Sequence, residues 1–92
     1  MDAVDGVLLV HTTDTEGTRH TVQETLGAMA DDWKLAGIAT RDPGLFTLEY
    51  LVKLKKKATA TELVGALRDR WSEQVGAAEF FWFHSRERER VR

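Results

Sequence analysis

Ninety-two residues with 42% apolar and 30% charged side chains fit one globular domain with a single modest core. A formal net charge of −2 supplies no global field of the kind nucleic-acid binders use, and the absence of cysteine excludes disulfides, thiolate zinc sites and cysteine nucleophiles. No apolar run approaches the roughly 18 residues of a membrane-spanning helix, and the first residues carry no basic or apolar leader pattern.

Residues 7–10 (VLLV) form an apolar run entered past Gly6 and predict a buried central strand. After a threonine-rich loop over residues 11–21, the period changes. Val22, Leu26, Met29, Ala30 and Trp33 fall at i, i+4, i+7, i+8 and i+11, the apolar stripe of a first helix reaching Trp33. Residues 34–41 are a short mixed segment anchored by Leu35 and Ile38, ending at the turn signal Asp42-Pro43-Gly44. Phe46, Leu48, Tyr50, Val52 and Leu54 then alternate with polar residues, a half-buried strand that completes a hairpin. Thr59 and Glu62 form a capping box that opens a second helix, with Leu63, Val64, Leu67 and Trp71 on its inner stripe. Residues 72–76 are expected as a loop and residues 77–84 as a final strand. The order β-α-β-β-α-β predicts an α+β, ferredoxin-like domain over residues 1–84: a four-stranded antiparallel sheet with strands one and three central and both helices on one face. Residues 85–92 form a charged C-terminal tail.

Three readings compete for the opening loop. Asp14 can cap the first helix, with Glu16 suited to the positive end of its dipole. Thr12, Thr13 and Gly17 can line a small-ligand pocket. His11, Asp14, Glu16 and His20 can approach metal spacing, since Glu16 and His20 are one turn apart, but no recognised metal motif is present. His84 is expected at a strand end facing solvent. No catalytic constellation is legible: the only serines, Ser72 and Ser85, lie in a loop and in the tail, and a domain this small offers little cleft. RNA recognition on this topology needs stacking aromatics on the central strands, and residues 7–10 have none. Lys53, Lys55, Lys56 and Lys57 cluster before the second helix and read as a solvated loop that discourages edge pairing, in preference to an anion or lipid site.

The last strand does not alternate. Phe80, Phe81, Trp82 and Phe83 put aromatics on both sides of the sheet, so one pair packs under the helices and the other lies on a face that no helix covers. Phe81 and Phe83, with Leu51 or Leu45 from strand three, are expected on that open face, and a second copy of the chain is expected to cover it.

The element order, the "DTEG" turn into the first helix and the chain length resemble an ACT-like ferredoxin-fold domain over about residues 5–84. More narrowly, the chain is similar to the soluble C-terminal domains of small bacterial membrane proteins of the MgtC/SapB type. The resemblance implies a non-catalytic regulatory or assembly module, cytoplasmic and joined to a membrane domain; self-association, as a homodimer or another homo-oligomer, is expected from the aromatics of the open sheet face. The resemblance also implies Thr13, Asp14 and Gly17 as ligand-binding positions. No cofactor, metal or nucleic acid is expected. The alternative is a small-molecule or metal-binding domain, or a small dimeric α+β-barrel enzyme, using loop 11–20.

Overall fold

Six elements follow one another as β1 (Gly6–Thr12), α1 (Thr15–Met29), β2 (Ala30–Asp42), β3 (Leu45–Leu54), α2 (Ala60–Asp69) and β4 (Val75–Trp82). The computed structural model of the chain describes residues 4–70 and 75–83. The strands form one antiparallel sheet in the order β2-β3-β1-β4, the arrangement expected of a ferredoxin-like α+β fold. The core lies between this sheet and the helices. Leu8 and Val10 of β1 and Leu48, Tyr50 and Val52 of β3 meet Val22 and Leu26 of α1 and Leu63 and Leu67 of α2, all fully buried.

Several boundaries differ from the sequence reading. β1 continues past Val10 to Thr12, because His11 and Thr12 still pair with Thr47 and Phe46 of β3. The first helix stops at Met29 and does not reach Trp33: Ala30 is already extended, and its N–H donates to the Leu26 carbonyl. With no loop between them, α1 passes directly into β2, a strand of 13 residues rather than the short segment over 34–41. Ala30 and Trp33 keep contact with the core from the strand, so the apolar stripe persists while the backbone changes type. Asp31 and Asp32, poor helix formers at that point, favour the change. β4 begins at Val75, two residues before the expected Ala77. The rest of the expected loop, residues 72–74, lies outside the described residues, as do Trp71, His84 and the tail.

The local signals otherwise act as read. Gly44 takes φ +82° in the turn between β2 and β3, a conformation that suits glycine. At α2, the Thr59 hydroxyl accepts from the Glu62 amide at 3.1 Å and the Glu62 carboxylate accepts from the Thr59 amide at 3.0 Å. The two helices are tied to each other by the Arg70–Glu24 ion pair.

Candidate functional site

Both helices cover one side of the sheet, the side to which even-numbered residues of β1, β3 and β4 point. Odd-numbered residues line the other side, and among the described residues no element lies over it. Phe80 and Trp82 pack against the helix-side core, with their rings edge-on at 5.0 Å. Phe81 and Phe83 face the opposite way and are 51% and 52% exposed. Strand register brings Phe81 beside Val7, Val7 beside Leu51 and Leu51 beside Lys34, so one end of the open face is an apolar row rimmed by a lysine. Phe83 extends this end, because its N–H donates to the Asp5 carbonyl at 2.9 Å.

The other end of the same face is polar. Leu9 sits between Glu49 and Glu79, and His11 sits between Thr47 and Ala77. His11 Nε2 lies 3.0 Å from Glu79 Oε1, and Nδ1 lies 2.9 Å from Thr47 Oγ1. An ionised carboxylate only accepts, so Nε2 carries the hydrogen and, in the neutral ring, the Thr47 hydroxyl donates to Nδ1. This link across three strands differs from the sequence expectation of His11 in the opening loop, because β1 extends to Thr12. Continuing the period-two phase of β1 by two residues would have put His11 on the open face with Leu9.

The opening loop is built around the end of α1. The Thr12 hydroxyl is buried against that of Thr18 at 2.7 Å and accepts from the Asp14 amide at 2.9 Å. Asp14 is the N-cap: its Oδ1 accepts from the Gly17 amide at 3.1 Å, and its carbonyl accepts from the Thr18 amide. A Cβ on Gly17 would stand 2.2 Å from Asp14 Oδ2, so the glycine lets the cap close tightly. Asp14 and Gly17 are thus brought together around the helix's own amides, with Thr13 exposed beside them. The four residues considered for a metal are separated. His11 is on the sheet, Asp14 is at the cap, and Glu16 and His20 are on the exposed side of α1. Among the described residues no group of three or more His, Asp or Glu converges.

Lys55, Lys56 and Lys57 are exposed in the turn between β3 and α2, and Lys53 lies on β3. Among the described residues no helix is long and apolar enough to cross a membrane.

The fold is similar to the solution structure of the C-terminal domain of the MgtC protein from Mycobacterium tuberculosis, with a TM-score of 0.57 at 18% identity over 92% of this chain and 94% of that one. The likeness to an MgtC C-terminal domain therefore holds for the fold. No family model matches the chain, and no curated protein matches it.

Proposed function

We propose that this domain is a non-catalytic regulatory or assembly module that pairs with a second copy of itself across the open sheet face, and that it serves as the cytoplasmic domain of a bacterial membrane protein. The carrying observation is the pair of half-exposed phenylalanines, Phe81 and Phe83, set in an apolar row with Val7 and Leu51 on a side that no described element covers. Large aromatics left in water favour a partner surface, and two-fold pairing is the commonest way to supply one. The likeness in fold to the MgtC domain supports the role within a membrane protein.

The size of the face sets the strength of the pairing. Four strands at ~4.8 Å and seven residues at ~3.4 Å give a footprint of about 19 by 24 Å, so two stacked faces bury on the order of 900 Å². That is slightly below the range of specific interfaces, so association is weak and is sought at tens of micromolar. There, light scattering should give a dimer. Phe81→Asp should give a folded monomer by circular dichroism, because the charge falls on the open face, whereas Phe80→Asp should unfold the domain. A wild-type monomer at that concentration would refute the self-association. A membrane-spanning segment encoded upstream in the same reading frame would support the membrane assignment, and an in-frame stop there would oppose it.

A further inference from the structure

The polar end of the open face carries its charge in one layer. Strand register sets Gly37, Glu49, Leu9 and Glu79 in a row across β2, β3, β1 and β4, and Ala39, Thr47, His11 and Ala77 in the next. Glu49 and Glu79 flank one leucine at two strand spacings, about 10 Å, near the screening length of ~8–10 Å at moderate salt. No lysine or arginine enters these two rows; Lys34 and Lys53 stand toward the apolar end, paired in register with Leu51 and Asp32. Among the described residues, His11 is therefore the one group of the layer that can turn positive near neutrality. The charged groups that face it are Glu79 from β4 and, one row away, Glu49 from β3; its neighbour on β1 is Leu9, and both helices lie on the other side of the sheet. Arg41 and Asp42 of β2 lie beyond these rows, where the register shifts opposite Phe46 and Leu45. The His11 side chain is 20% exposed and that of Glu79 50%, so water reaches the pair in a single copy.

We propose that protonation of His11 strengthens the pairing of two copies across this face; this regulation presupposes the open-face pairing proposed above. With the two-fold axis along the strands, like rows meet. Leu51 and Val7 of one copy then lie over Val7 and Leu51 of the other, Lys34 lies over the Phe81 ring, and the two acidic layers coincide. An axis across the strands would instead press Glu49 and Glu79 against Leu51 and Phe81, desolvating carboxylates with no partner. In the favoured arrangement the shared layer holds two Glu49 and two Glu79 carboxylates. Its charge is −4 with both imidazoles neutral and −2 with both protonated. Stacked sheets stand about 10 Å apart with water withdrawn between them, so the repulsion is screened less than in a single copy. A protonated His11 offsets it without moving. Nε2 already donates to Glu79 at 3.0 Å, and the Thr47 hydroxyl, 2.9 Å from Nδ1, needs only to turn its hydrogen and accept. Reciprocal linkage fixes the sign: the paired copies take up protons more readily than single ones, so falling pH favours the pair across histidine's range of about pH 5–8.

Light scattering of a dilution series at about pH 8 and about pH 6 tests this in the full chain, with circular dichroism on every variant. The wild-type dissociation constant should fall at least about fivefold at the lower pH, the low end of ordinary coupling between sites. His11→Gln, which keeps a hydrogen-bonding group without the charge, should lose most of that response. His11→Lys, positive at both values, should pair at the higher pH as tightly as the wild type does at the lower. Glu49→Gln removes one carboxylate per copy and leaves the His11 bonds in place, so it should pair more tightly than the wild type at the higher pH. His20→Gln, on the far side of the sheet beside Glu24 of α1, and His84→Gln should keep the full response. A dimer that responds equally in His11→Gln, ignores pH or tightens as pH rises would overturn the regulation and leave the open-face pairing standing. A wild type that stays monomeric at both values, indistinguishable from Phe81→Asp, would overturn the pairing and the regulation with it.

Discussion

Leu8 and Leu9 are neighbours in β1, yet Leu8 is fully buried beneath the helices and Leu9 is half-buried between Glu49 and Glu79 on the open face. The same division runs through Phe80 and Phe81 on β4 and through Tyr50 and Leu51 on β3. The helix side is a closed core whose cost on truncation is that of a cavity. The open side has aromatic and aliphatic residues at one end and a histidine–carboxylate pair at the other, and truncation there removes surface. What separates them is only the phase of a two-residue repeat, so single substitutions at adjacent positions measure the difference.

The largest expected contrast is at those leucines. Leu8→Ala should cost about 2–5 kcal/mol, because the vacated volume is walled by β3 and both helices. Leu9→Ala should cost less than about 1 kcal/mol, since water already reaches that site. Urea midpoints at a concentration that keeps the chain monomeric would show the gap. Equal costs would mean that the open face is already covered in the monomer.

Glycines give a second contrast across the same strands. A Cβ on Gly6 would lie 2.2 Å from the Phe81 carbonyl oxygen and 2.7 Å from the Phe80 ring, so β1 and β4 must part to admit it. Gly37 on β2 would meet only Glu49 Oε2, at 3.8 Å. Gly6→Ala should therefore lose about 1–3 kcal/mol, and Gly37→Ala close to none. Exchange of the β4 amides that face β1 should rise in the first variant alone.

Element order, sheet topology and the inward turn of Phe80 and Trp82 were all legible in the sequence, because period-two and period-3.6 patterns report directly which side is apolar. The end of α1 was not. Ala30 and Trp33 satisfy the helical stripe and the strand's core side alike, and only pairing with Leu54 and Val52 decides between them. His11 was misplaced for the same reason: its strand identity depends on Thr47 and Glu79, which are distant in sequence. The Asp14 cap was legible because it is local. Asp14→Ala should cost about 0.5–2 kcal/mol and Asp14→Asn a few tenths, read from thermal midpoints. A thermal shift with an amino acid, Mg²⁺ or Zn²⁺ that vanishes in both Asp14→Asn and Glu16→Gln would reassign the loop from capping to binding.

The smallest effect sharpens the account of the closed side. Tyr50 is fully buried beneath α1, its ring centroid 6.0 Å from that of Trp33, and its hydroxyl has no hydrogen-bond partner among the described residues. A buried hydroxyl without a partner loses its hydration and gains nothing in return, so Tyr50→Phe should raise stability by up to about 1 kcal/mol. Burial also pushes the phenol up to about 12, with the Arg19 guanidinium opposing the shift. Because the folded value lies above the ordinary one near 10, the unfolded chain ionises first. The native state therefore holds its full advantage below about pH 10 and loses it as the pH rises toward 12. In Tyr50→Phe this part of the alkaline loss should disappear, so the two stability curves should diverge above pH 10, with the variant the more stable throughout. Tyrosinate absorbance follows the same event directly, Tyr50 being the only tyrosine in the chain. A variant less stable than the wild type at neutral pH would show that the hydroxyl has a partner in solution and that the closed side is wetter than its packing implies.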